Sequence, residues 1–287
     1  MKNVAILTDS VACVPEDLLQ SLKIRRVAYY IHRGQEVLRD LVTIHTEEFV
    51  RWLQTAETLP TTAAPGPGEY YEAFEQLAAE GVREVVSIHI TSRSSGAYQA
   101  AMVAYEMARE RLPELRIEVI DTLNVSMCQG WMVIEAARAA LAGCSVEEIT
   151  AKVRAMIPVT RMLQTADTLR YLAMGGRIGK AQHLLGSLLD IKPIIGMADG
   201  VIVPLGAERS RRRVYQKMAE LVAGAVGAGG KIKVAYVHAG ARQQLEQLRE
   251  QVEKRVECVE TLFTELSPAL AVHSGPGTTG LCYYPVR

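Results

Sequence analysis

Short hydroxyls, glycines and one histidine recur where predicted strands of this chain end. "TDS" (Thr8 to Ser10) follows a first apolar run, "TSRSSG" (Thr91 to Gly96) a second and "DTLNVS" a third. "LPTTAAPGPG" precedes a helical stretch, and "HSGPGT", led by His273, closes a further predicted strand over residues 269–273. In an open α/β sheet, ligands gather beyond the carboxyl ends of the strands. Hydroxyls and glycine-exposed amides at those ends would hydrogen-bond an anion while carrying little charge of their own. Each fragment alone also reads as ordinary capping or turn chemistry, because Ser, Thr and Asp favour helix N-caps and Pro-Gly pairs make turns. Their recurrence is the informative feature.

Motifs for turnover are weaker. "GPGTTG", residues 275–280, matches GxGxxG, but a dinucleotide site needs a strand before it and a helix after it. The following "LCYYPVR", with two tyrosines and a proline, reads as a strand. "SRSSGA" has Arg93 where a nucleophile elbow has its first glycine, and "AMGGRIGKA" lacks the P-loop spacing and the Ser/Thr after Lys180. There is no HExxH, and the five cysteines are scattered without a CxxC, so neither a zinc site nor a disulfide framework is indicated. Binding is favoured over catalysis. The alternative is an enzyme for a small anionic substrate, with His273 as general acid or base and Ser92 or Arg177 nearby. A scaffold role through "RSRRR", residues 209–213, is a third reading; as a bland feature the same run is a solvated first helical turn.

The elements that must position these groups alternate. Strands are expected at residues 4–7, 27–31, 84–90 and 117–120, with amphipathic helices in "EYYEAFEQLAAEG", "AYQAAMVAYEMARERLP" and "GWMVIEAARAALAG" between or after them. Such alternation implies right-handed crossovers and a largely parallel sheet. Further on, "IIGMADGVIVPL" reads as a hairpin turning at Asp199-Gly200. A helix at 209–226, a strand at 232–237 and an amphipathic helix in "ARQQLEQLREQVEKRV" follow. The expected fold class is α/β with two domains. A largely parallel sheet flanked by helices occupies 1–160, and an α/β domain with a mixed sheet occupies 161–287. Lys+Arg and Asp+Glu both number 32, so no general electrostatic pull toward nucleic acid or anionic membranes is expected. The apolar run near the start is too short for a signal-peptide core, and no run approaches ~18 apolar residues. A cytoplasmic protein without an integral membrane segment is expected.

Taken in order, "ILTDS", "PTTAAPGPGEYYEAFEQL", "SIHITSRSSGAYQAA", "VIDTLNVSMCQG", "LRYLAMGGRIGKAQHLLGSLLDIKPII" and "HSGPGTTGL" resemble the DegV family of bacterial lipid-binding proteins. Members of that family include the fatty-acid-binding subunits of fatty acid kinase. The resemblance implies a long-chain fatty acid at the domain junction, its carboxylate held by Thr62, Ser92 and His273. It also implies Ser95, Gly275 and Thr278 as secondary head-group candidates, and Arg177 of the GGRI motif as support for phosphoryl transfer. No resident cofactor is implied, since ATP and Mg²⁺ would belong to the partner kinase, and the acyl phosphate would pass to an acyltransferase of phospholipid synthesis. The chain departs from the family pattern where TSQP has become "TAAP", where Ser94 replaces a leucine, and where Ala173 and Met174 replace lysines. Ile194, Ile195 and Met197 in "HLLGSLLDIKPIIGM" are candidates for the tunnel wall, and ordinary core packing is the competing reading for them.

Overall fold

The computed structural model describes residues 4–186 and 191–286. Four strands, β1 (Val4–Asp9), β2 (Arg25–Val27), β6 (Glu84–His89) and β7 (Arg116–Asp121), form a parallel sheet in the order β2-β1-β6-β7. β1 and β6 are almost wholly buried, as parallel strands covered on both faces must be. A small antiparallel sheet joins β3 (Tyr30–Arg33) to β4 (Glu36–Arg39) on one side and to β5 (Thr61–Ala63) on the other. The third sheet is mixed, in the order β10-β9-β8-β13-β11-β12. Its strands are β8 (Arg161–Thr165), β9 (Lys192–Ala198), β10 (Val201–Glu208), β11 (Lys231–His238), β12 (Glu257–Glu265) and β13 (Thr279–Val286). The chain is therefore α/β, with a parallel sheet early and a mixed sheet late. All strands of the first two sheets precede residue 122, and all strands of the mixed sheet follow residue 160.

The described α-helices are α1 (Glu16–Ser21), α2 (Thr46–Leu53), α3 (Pro67–Ala79), α4 (Ala97–Arg111), α5 (Met127–Leu141), α6 (Val146–Met156), α7 (Arg170–Met174), α8 (Arg211–Val226), α9 (Arg242–Glu253) and α10 (Pro268–Ser274). α5 is buried nearly all round, the mark of a helix enclosed by other elements rather than lying on a surface. It packs on β1 and β6 of the parallel sheet and on β13 of the mixed one. Trp131 from α5 donates its indole N–H to the Cys282 carbonyl at 3.1 Å, tying the two sheets through one side chain. α10 belongs late in sequence yet packs against α2, α7, β3 and β5, so it too crosses between the halves.

Two sequence expectations are corrected. Residues 27–31 are not one strand, because Val27 ends β2 and Tyr30 begins β3 in a different sheet. Between them the Tyr29 N–H leaves the ladder and donates to Ser10 Oγ at 3.0 Å. Residues 269–273 are helical rather than extended. Ser267 caps α10 by accepting from the Leu270 N–H, and Pro268 takes the first helical position, where its missing donor costs nothing. Among the described residues, β4, β5, β8 and β12 have no counterpart in the sequence expectations. The Asp199-Gly200 hairpin is present, with both residues at positive φ as a tight primed turn requires. Part of the "HLLGSLLDIKPIIGM" stretch, residues 187–190, lies outside the described residues.

Candidate functional site

A cavity of about 610 Å³ lies between the halves, within the size range of small-molecule sites. From the first half it takes Tyr29, Thr62, Ile90, Ser92, Ser95 and Val125; from the second it takes Met162, Leu172, Ile195, Met197, Arg177 and His273, among others. Thr62 is in β5, where it pairs with Ile31 of β3. Directly paired residues share a sheet face, and Ile31 is fully buried, so the register turns Thr62 inward. His273 sits in the last turn of α10. Its Nε2 is 2.9 Å from Thr62 Oγ1, a contact that spans 211 positions of sequence.

The tautomer of His273 follows from its surroundings. Nδ1 is buried without a hydrogen-bond partner and packs beside Gly175, where a Cβ would lie only 2.3 Å from it. An N–H buried there unpaired would cost about 1–3 kcal/mol, so the proton belongs on Nε2 and is donated to Thr62 Oγ1. Thr62 then keeps its own hydroxyl proton for the cavity. Burial, with the Arg177 guanidinium adding to it, lowers the His273 pKa to about 4, so the ring is neutral at pH 7. Arg177 is exposed at the cavity wall and donates to the Gly175 carbonyl.

Ser92 is held by its backbone. Its N–H donates to the two Asp121 carboxylate oxygens at 3.2 and 3.3 Å, and the same carboxylate accepts from the Leu123 N–H at 2.9 Å. The "DTLNVS" segment thus scaffolds the Ser92 loop. Thr91, next to it, donates to the Gly200 carbonyl at 3.0 Å. Gly200 lies at φ +78°, and a Cβ there would come within 2.4 Å of Thr91 Oγ1, so the β9–β10 turn closes on this loop only with glycine.

Other sequence candidates serve the framework. "TDS" is satisfied internally: Thr8 donates to the Ile88 carbonyl, Asp9 accepts from Ile90 N–H and Gln129 Nε2, and Ser10 donates to Asp40. Gly275 and Thr278 do not line the cavity. Gly275 packs against the Tyr171 ring, and Thr278 is fully buried with its hydroxyl donating to the Ser274 carbonyl. The rest of the "GPGTTG" turn is held by Arg211, which donates to the Gly277 carbonyl at 2.9 Å and pairs with Asp167 at 2.8 Å. Arg211 of "RSRRR" is therefore a structural residue, while Arg212 and Arg213 are exposed. Ile194 is fully buried in a core formed with α8 and α9 rather than in the cavity wall; Ile195 and Met197 do line it. Among the described residues no group of three His, Cys, Asp or Glu side chains could hold a metal, and no helix is long and apolar enough to cross a membrane.

The family model described as "Uncharacterised protein, DegV family" matches residues 3–286. The chain belongs to the DegV family. A DegV domain-containing protein of Halalkalibacterium halodurans is 32% identical over 286 residues, covering 99% of each chain. The solved structure of a fatty-acid-binding DegV family protein from Thermus thermophilus superposes with a TM-score of 0.92 at 28% identity, covering 99% of this chain and 100% of that one. A stearic-acid-binding protein from Eubacterium ventriosum superposes with a TM-score of 0.88 at 25% identity, covering 99% and 98%. Within this DegV chain, sequence reasoning named Thr62, Ser92, Ser95, Arg177 and His273, and all five line one cavity. It missed Tyr29, Gln164 and Ser274, which line it too. Ser274 left a signal as the hydroxyl of "HSGPGT", and Tyr29 as an aromatic within the apolar run 27–31.

Proposed function

We propose that this chain is a carrier of a long-chain fatty acid. The tail lies in the cavity between the halves, the Thr62 and Ser92 hydroxyls meet the carboxylate, and His273 orients Thr62 through its Nε2–H. The observation that carries this reading is the convergence on one mostly apolar space of Ile195, Met197 and Leu172 with the Thr62–His273 pair. A tail of roughly fifteen methylenes, at about 0.8 kcal/mol each, gives on the order of 10 kcal/mol of gross transfer energy. A carboxylate buried without donors would forfeit several kcal/mol of that, which is why hydroxyls at one end matter. The related proteins of Thermus thermophilus and Eubacterium ventriosum, described as binding fatty acid and stearic acid, support the same ligand class.

The finer reading is delivery in the cytoplasm. The chain holds no ATP itself, presents the carboxyl group to a separate kinase carrying ATP and Mg²⁺, and takes the acyl phosphate to an acyltransferase of phospholipid synthesis. Arg177, exposed at the cavity wall, is suited to offset charge that develops on a transferred phosphoryl group. The competing enzyme reading, with His273 as general acid or base, is disfavoured by a histidine whose pKa lies near 4, far from the working pH.

Mass spectrometry of the chain purified under native conditions tests the carrier. Bound acyl chains should appear and be released by organic extraction; a ligand-free chain that also fails to take up oleate or stearate rejects it. Consumption of ATP by the chain alone with oleate would reject the division of labour and leave the binding intact.

A further inference from the structure

A second hydroxyl pair stands in the cavity wall. Tyr29 is only 5% exposed, and its backbone is pinned where the chain crosses from β2 to β3 by the N–H bond to Ser10. Its Oη is hydrogen-bonded to Ser95 Oγ, and both residues line the cavity. Ser95 Oγ also accepts from the Ala97 N–H at 3.3 Å, at the start of α4. Among the described residues neither oxygen has another hydrogen-bond partner.

A hydroxyl has one proton and two lone pairs. If the phenol donates to Ser95, both lone pairs of Ser95 Oγ are filled, and its proton is left without a protein acceptor. If Ser95 donates instead, the phenol proton is the one left over. Either way the pair holds one donor that the protein does not use. The phenol is the more acidic hydroxyl and hence the better donor, which favours the first arrangement. Burial pushes the Tyr29 pKa well above the usual phenol range, so that proton stays in place. Tyr29 leads directly into β3, whose Tyr30 and Ile31 pair with Ala63 and Thr62 of β5, so the strand register sets this pair beside the strand that carries Thr62, in the same cavity wall as Thr62–His273.

We propose that Tyr29 and Ser95 form a second relay for the ligand's head group. Tyr29 donates to Ser95, and Ser95 directs its proton to the carboxylate oxygen that Thr62 does not reach. Tyr29 is the positioning residue and Ser95 the contact. The inference rests on the fatty-acid reading above and adds to it a preference for an ionised acid over a neutral ester, because a hydrogen bond to a charged acceptor is about twice as strong as a neutral one.

The test uses delipidated full-length protein titrated with oleate and with methyl oleate. Tyr29→Phe keeps the ring and removes one oxygen. Oleate affinity should fall about tenfold or more, against a loss below about threefold for methyl oleate. Ser95→Ala should behave alike, and the double variant should bind oleate no worse than the weaker single variant, since the two act as one donor. Unchanged oleate affinity in Tyr29→Phe overturns the proposal, as does an equal loss for acid and ester, which would make Tyr29 a packing residue. If the wild-type chain takes up neither ligand, the fatty-acid reading itself falls and this inference with it.

Discussion

Gly175→Ala isolates the contribution of His273 without touching the histidine. Gly175 lies at φ −75°, so alanine meets no backbone strain there. The added methyl would sit 2.3 Å from His273 Nδ1 and 3.2 Å from the Tyr171 carbonyl oxygen. Restoring an ordinary contact of about 3.5 Å moves the ring by roughly 1 Å. The Thr62 contact is 2.9 Å long, so a shift of that size either stretches it past hydrogen-bond length or drives the ring into Thr62. Overpacking of this kind costs about 1–3 kcal/mol, and replacing glycine returns about 0.4–1 kcal/mol through the unfolded chain. Folding stability should therefore drop by no more than about 2.5 kcal/mol in urea unfolding. Fatty-acid affinity should drop about 10- to 100-fold, the value of a donor to a charged group. Gly224→Ala on α8, which places its methyl in open space, serves as the control and should leave binding unchanged. Wild-type oleate affinity in Gly175→Ala would refute the argument that His273 orients Thr62 toward the ligand.

Arg177→Ala should leave oleate binding within about threefold of wild type and slow acyl phosphate formation with the proposed partner kinase; unchanged turnover in the reconstituted pair would remove that role. Acid should destabilise the fold through its buried histidines. His273 and His238, both lowered to about 4 by burial with Arg177 and Arg242 adding to it, stay neutral when folded, whereas the unfolded chain takes up protons near pH 6.5, so stability falls as pH drops from 6.5 to 4. Asp40 opposes this: burial raises its pKa to about 6, so the folded state holds a proton that the unfolded chain accepts only near 3.8. Asp40→Asn should thus steepen the loss of stability between pH 6.5 and 4, read from urea midpoints, and an unchanged slope would count against a buried ionisable Asp40. At the seam, Glu135 of α5 accepts from Lys233 of β11 at 2.8 Å and from Lys152 at 2.9 Å; burial alone would raise its pKa, but those lysines hold it at about 2. Lys233→Met should cost about 2–3 kcal/mol, less than a fully buried pair because Lys152 and Arg138 still pair with Glu135, and adding Glu135→Leu should restore part of it, since Lys233 also pairs with Glu260. Strictly additive losses would refute the pairing.

Much of this arrangement was legible because local chemistry announced it. The parallel strands stand out as apolar runs, α5 as a helical stretch with few polar residues, and the hairpin as Asp-Gly between two such runs. The stretch at 269–273 was misread because four small or apolar residues before His273 carry no period; the decisive signal was Ser267-Pro268 just before them. β5 is only three residues long and owes its extended form to pairing with β3, which no local pattern encodes. Gly275 and Thr278 share a motif with His273 but not its direction, because the chain turns away at the end of α10. Arg211 carried the opposite lesson, since a run of like charges hid one side chain that holds the "GPG" turn. The Tyr29–Ser95 contact joins residues 66 positions apart and depends on where the crossover from β2 to β3 is pinned.

The chemistry of the head-group end suits a molecule that must both hold and release. A carboxylate clamped by a buried arginine would form a desolvated ion pair that is slow to open. In the proposed site the groups facing the carboxylate are neutral at pH 7: Thr62 backed by a histidine with a pKa near 4, and Ser95 backed by a buried phenol. Each hydroxyl is oriented by a second internal partner, so its direction is fixed before the ligand arrives and little ordering is needed on binding. The guanidinium of Arg177 stays exposed at the cavity wall instead of closing over the acid. Retention then rests on the hydrocarbon tail, and the hydroxyls decide which end faces outward. Shortening the tail should therefore weaken binding steadily with each methylene, whereas removing a hydroxyl should act through the head group and depend little on chain length.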